Sequence, residues 1–207
     1  MSSFIGHTVA AVAVYAATDR KSPKGLAFAS DRHNKLQSRL LWLWWLIVIA
    51  SLPDLDYVVK VWHSNNNAGL RITHSLAFVA IAPIITIVVL FFAKVRGEQL
   101  LWRSLQLILA ALSHLLLDLL VGVTALPLLF PAIDIPYKLP FGILPSAGKI
   151  DLNNYYFYRN LKLEMGVLLP LLSLIFLWGD LFKSHSMVKN TIKIFLSTLL
   201  LDLLRNK

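Results

Sequence analysis

Apolar residues along this chain gather into five blocks separated by polar, mostly basic segments. Phe4 to Thr18 is the first and shortest, at the lower edge of the roughly 17–25 residues that a membrane-crossing helix needs. Leu40 to Leu52 is the second. Its Trp42, Trp44 and Trp45 suit a bilayer interface, and Pro53-Asp54-Leu55-Asp56 ends it. His74 to Ala93, Leu100 to Val121 and Glu164 to Phe182 are the third, fourth and fifth. This pattern predicts an all-α integral membrane bundle of about five spans. Composition agrees, because a soluble chain of 207 residues does not carry 57% hydrophobic residues in long runs with so little charge between them.

The segments between the blocks set the organisation of one domain over 1–207. Asp19 to Arg39 is a polar, basic loop, and Lys94 to Arg103 is a short basic turn. Gly122 to Leu163 carries Pro127, Pro131, Pro136, Pro140 and Pro145, which exclude a regular helix through it. Its apolar stretches, Leu126 to Phe130 and Phe141 to Leu144, predict a loop lying against the membrane interface and covering the site from the lipid side. The basic tail, 184–207, holds an apolar run too short to cross comfortably. With Lys189, Lys193 and Ser197 near one face, it reads as an interfacial amphipathic helix.

Charge then orients the bundle. With five spans, fourteen Lys and Arg fall on the side that holds the loop after the first block, and six on the other. The positive-inside rule places the richer side in the cytoplasm, which puts the N-terminus outside a plasma (inner) membrane. The net charge of +9 therefore reports loops facing anionic lipid rather than a nucleic-acid surface. Six scattered cations on the outer face make no basic groove, so no nucleic-acid partner is expected.

The unusual polar residues, each a candidate metal ligand, all fall on that outer face. His7 begins the first block, Asp54 and Asp56 end the second, and His74 begins the third. His114 and Asp118 lie near the outer end of the fourth, and Glu164 begins the fifth. His114 and Asp118 are four apart and share one helical face. An imidazole and a carboxylate in a lipid-grade run are costly unless paired or metal-bound. There are no cysteines, so any metal is held by nitrogen and oxygen ligands, which suits Zn, Mn or Fe. The ligand supply is large enough for two or more ions, with Asp56 or Asp118 bridging, an arrangement that activates a water and clamps a phosphoryl group. Arg71 is positioned to neutralise a phosphate, or to face headgroups at the end of a span. His33, His63 and His185 read as solvated loop residues. Asp134, Asp151, Tyr155, Tyr156 and Tyr158 either line an entrance or anchor the interface.

Gly6-His7, Leu52-Pro53-Asp54-Leu55-Asp56, Thr73-His74-Ser75 and Ser113-His114-Leu115-Leu116-Leu117-Asp118, followed by Gly122-Val123 and Pro127, resemble the YdjM-like family of membrane-bound metal-dependent hydrolases. The resemblance covers about residues 1–135. It implies His7, Asp56, His74, His114 and Asp118 as metal ligands, with Asp54 a ligand or its partner, and Asp56, His114 and Asp118 as the catalytic centre. The family is itself similar to zinc-dependent phospholipase C, all-α enzymes with a three-zinc site. Here Gly69-Leu70-Arg71 lacks a histidine that the family often carries, and Asn160 precedes Glu164 where that group has HxxxE, which points to two ions. The implied activity is hydrolysis of a phosphoester on a membrane lipid or lipid-linked substrate at the outer face. The competing expectation is a non-catalytic, metal-stabilised scaffold or assembly protein. A transporter is disfavoured because the polar residues gather at one face instead of the midplane.

Overall fold

The computed structural model describes residues 3–19, 32–57, 71–122, 125–144 and 153–177. Five α-helices form among them: α1 (Phe4–Asp19), α2 (Arg32–Ser51), α3 (Leu76–Phe92), α4 (Gly97–Val121) and α5 (Tyr155–Leu177). A 3-10 segment (Leu52–Tyr57) follows α2, and a shorter one (Ile72–His74) precedes α3. The windows Leu36–Leu55, Gly97–Val121 and Tyr155–Leu177 are long and apolar enough to cross a membrane, while Phe4–Thr18 and Leu76–Phe92 are shorter apolar helices. The tail at 184–207, like His33, His63, Asp151 and His185 as side chains, lies outside the described residues.

Several boundaries differ from the apolar pattern. Helix α2 begins at Arg32, within the segment expected as loop, and α4 begins at Gly97. Helix α5 begins at Tyr155 instead of Glu164. Backbone hydrogen bonds do not stop where apolar side chains stop. Between Pro145 and Pro170 no proline opposes a helix, and Asn154 Oδ1 accepts the Tyr156 N–H at 2.9 Å to start one.

Helix α4 is the centre of the bundle and packs against α1, α2 and α3. Ala11, Leu46, Ile49, Ala50, Val79, Leu107, Ala110, Ala111 and Leu115 make the core between them. The four alanines let backbones approach closely, which matters in lipid because hydrophobicity alone does not drive helices together there. Half of the α4 window is buried (50%) against 11% for α5, so α5 lies at the edge of the bundle.

Polar side chains buried near the start of α4 are satisfied within the protein. Gln106 accepts from Trp42 Nε1 at 2.7 Å and donates to Thr18 Oγ1 at 3.0 Å, tying α4 to α2 and α1. Thr18 donates onward to the Val14 carbonyl at 2.6 Å. The Arg103 guanidinium stacks 4.0 Å over the Trp42 ring.

At its other end α4 stops at Gly122, whose φ of 63° is left-handed and whose N–H returns to the Asp118 carbonyl. A Cβ at Gly122 would lie 2.8 Å from the Gly142 Cα, because the loop folds back onto this turn. Ile143 and Leu144 donate their N–H groups to the Leu120 carbonyl, at 2.7 and 3.1 Å. Leu126 and Tyr137 pair as an isolated bridge, and the Leu128 carbonyl accepts the Leu76 N–H at 2.9 Å. The proline-rich segment is thus docked on the starts and ends of two helices. Phe141, Ile143, Ile135 and Ile133 stand exposed on it.

Candidate metal centre

Four elements bring the site together at one end of the bundle. Helix α1 contributes His7 one turn in, the 3-10 segment after α2 contributes Asp54, the turn before α3 contributes His74, and the last turns of α4 contribute His114 and Asp118. His7, His74, His114 and Asp118 have fully buried side chains, and Asp54 is 15% exposed.

Backbone and hydroxyl partners aim the imidazoles. The His114 Nδ1 lies 2.7 Å from the Ala50 carbonyl oxygen. That oxygen only accepts, so Nδ1 carries the proton and, in the neutral ring, Nε2 presents its lone pair to the centre. The His74 Nδ1 meets Thr73 Oγ1 at 2.9 Å, which likewise turns Nε2 inward. Ser75 then caps α3 by accepting the Phe78 N–H at 3.2 Å. In Thr73-His74-Ser75, one residue therefore orients the imidazole and the other starts the next helix. The His7 ring stacks on His114 at 3.9 Å between centroids.

Inward-facing atoms converge tightly. His7 Nε2 is 3.5 Å from Asp54 Oδ2 and 3.7 Å from Asp118 Oδ1. His74 Nε2 is 3.3 Å from Asp118 Oδ2 and 3.6 Å from Asp54 Oδ1. His114 Nε2 is 3.7 Å from Asp118 Oδ2, 3.9 Å from Asp54 Oδ1 and 3.2 Å from His74 Nε2. Ligands about 2.0–2.2 Å from a tetrahedral ion stand about 3.3–3.6 Å from one another, and these spacings, 3.2 to 3.9 Å, bracket those of a coordination shell. All but the His114 Nε2–His74 Nε2 contact are long for hydrogen bonds.

One atom each from His7, Asp54, His114 and Asp118 lies within 4.8 Å of all the others, a group that can hold a metal ion. Both ring nitrogens of His7 and the Oδ1 of Asp54 are buried with no hydrogen-bond partner among the described residues. Burying such groups without a partner costs roughly 1–3 kcal/mol each, and a cation removes that penalty for Asp54 Oδ1 and for the one His7 nitrogen that carries a lone pair. The donor set, imidazole nitrogen and carboxylate oxygen, fits a divalent transition metal.

The residues expected from sequence distribute as follows. His7, Asp54, His74, His114 and Asp118 are brought together. Arg71 is buried beside them, its Nη2 3.8 Å from Asp54 Oδ1. The Asp56 backbone belongs to the 3-10 segment, and its side chain lies outside the described residues. Glu164 is fully buried, and its carboxylate accepts the Ser3 N–H. Asp134, Tyr155, Tyr156 and Tyr158 are exposed. Three supporting groups escaped the sequence reading: Ala50 through its carbonyl, Ser3 and Ser75. Ser75 had a signal, a serine directly before an apolar run. A carbonyl acceptor such as that of Ala50 leaves no trace in sequence.

A family model describing the YdjM inner membrane protein matches residues 1–187. The chain belongs to that family. The match takes in all five helices and every residue of the centre, and the described residues of this chain include a His/Asp group that could hold a metal ion. No curated protein and no solved structure matches the chain, and similarity to zinc-dependent phospholipase C is not among these findings.

Proposed function

We propose that this protein is a membrane-bound metal-dependent hydrolase that cleaves a phosphoester of a lipid or lipid-linked substrate at the outer face of the inner membrane. The observation that carries it is the meeting of three imidazoles and two carboxylates at coordination spacing inside an apolar bundle. A divalent ion held there, zinc in the first instance with manganese or iron as alternatives, supplies an activated water and a clamp for phosphoryl oxygens. Two ions are the proposed complement, with Asp56 and Asp118 the carboxylates suited to bridge them. In this reading Asp54, 15% exposed, marks the side from which substrate approaches, and Arg71 beside it is placed to accept the phosphate charge. The exposed Ile133, Ile135, Phe141 and Ile143 of the docked loop favour a substrate whose tail stays in the bilayer.

The near-complete burial of the ligands favours a second reading, because structural metal sites are closed and catalytic ones keep an open position. In that reading the ion fastens the helix ends of a scaffold or assembly protein.

Purified protein in nanodiscs, after metal analysis, is offered a lipid phosphoester, a lipid pyrophosphate and a single-stranded oligonucleotide. Metal-dependent cleavage of a lipid substrate that chelation abolishes is the expected result. Bound metal with no cleavage supports the scaffold, and cleavage of the oligonucleotide alone refutes the lipid assignment.

A further inference from the structure

Glu164 is a buried carboxylate on the least packed helix, and it reaches across the bundle to the start of α1. Both its oxygens accept the Ser3 backbone N–H, at 3.1 and 3.2 Å. Ser3 is the N-cap of α1: its Oγ accepts the Gly6 N–H at 3.0 Å, and its carbonyl accepts the His7 N–H at 3.1 Å. The backbone of His7 is thus bonded directly to the residue that Glu164 holds.

In a capping box the third helical residue sends a carboxylate or amide back to the N–H of the N-cap. The third residue of α1 is Gly6, which has no side chain to send. Glu164, 161 residues on, occupies that role from another helix. An uncapped helix start frays within its first turn, and in α1 that turn ends at His7.

We infer that Glu164 is a positioning residue of the metal centre, clamping the start of α1 so that the His7 imidazole stays stacked on His114 and facing Asp54 and Asp118. The inference rests on the proposed metal site and assigns Glu164 a place outside the ion's own shell.

The test compares wild type with Glu164→Ala, Glu164→Gln and Ser3→Pro in detergent, using Zn²⁺ as the probe. Zinc affinity is measured by chelator competition, and bound imidazoles are counted by X-ray absorption at the zinc edge. Circular dichroism and elution volume confirm that each variant is folded. Glu164→Ala is expected to lose one imidazole and to bind zinc roughly 10–100-fold more weakly, as loss of a ligand-orienting partner does. Glu164→Gln, whose amide oxygen still accepts from Ser3, is expected to keep every imidazole. Ser3→Pro deletes the donor, together with the Oγ that accepts from Gly6, without touching the carboxylate, and is expected to lose the same imidazole and to weaken zinc binding at least as much as Glu164→Ala. If Glu164→Gln loses an oxygen ligand while Glu164→Ala and Ser3→Pro keep all imidazoles, Glu164 holds the ion itself and the inference is overturned. Variants indistinguishable from wild type overturn it with the metal site intact. A wild-type protein that binds neither zinc nor, in the same competition, manganese or iron overturns the site and the inference together.

Discussion

Replacing His114 by alanine tests the centre most directly, provided the loss of packing is separated from the loss of a ligand. The substitution deprives the Ala50 carbonyl of the donor 2.7 Å away, at a cost of about 1–3 kcal/mol for a buried acceptor. It also removes one of the atoms that face the ion. A metal present at a hundred times its Kd stabilises the folded state by about 2.7 kcal/mol, which the variant forgoes. Together these come to roughly 4–6 kcal/mol, or on the order of 10 °C in Tm, since one kcal/mol moves Tm by about 2–4 °C in a chain of this size. Leu107→Ala is the control. Leu107 lies on the same helix, fully buried in the apolar core, and its truncation costs about 2–5 kcal/mol without touching the centre. Thermal unfolding in detergent, with and without chelator, is read beside elemental analysis. Leu107→Ala should lower Tm yet keep both the metal and its stabilising increment. His114→Ala should lose both. A His114→Ala protein with full metal stoichiometry and an undiminished increment would refute the assignment.

Other outcomes follow from the same structure. Asp118→Asn should weaken metal binding by removing a charged ligand from a site with no thiolate substitute, as metal titration will show, and unchanged affinity would count against it. Gly122→Ala should destabilise by about 1–2 kcal/mol from its left-handed φ alone, and further because its Cβ meets the Gly142 backbone; a thermal melt like that of wild type contradicts the docked loop. Gln106→Leu should cost about 1–3 kcal/mol by leaving the Trp42 Nε1–H without its acceptor, while metal content stays the same. For the proposed orientation, a reporter at Arg96 should read cytoplasmic and one at Asp134 extracytoplasmic; the reverse pattern would move the centre to the inner face.

Much of this was legible in the chain itself. Apolar blocks are local patterns, so the helices and their order followed from them. The spacing of His114 and Asp118 placed both on one face because a helix turns every 3.6 residues. That His7, Asp54, His74 and His114 share one end of the bundle needed only the alternation of crossings. Which atoms meet was another matter. It depends on how far each helix is rotated and how closely it packs, and here Ala11, Ala50, Ala110 and Ala111 decide that. The Ala50 carbonyl orients His114 only because α2 and α4 lie close enough for a 2.7 Å contact. Glu164 shows the limit most clearly. Its position at the start of the fifth block made it a candidate ligand, and nothing in that position indicated that its carboxylate meets the Ser3 N–H of a helix 161 residues earlier. Sequence spacing carries no information about that pairing, because a hydrogen bond between helices is specified by their packing and not by either helix alone.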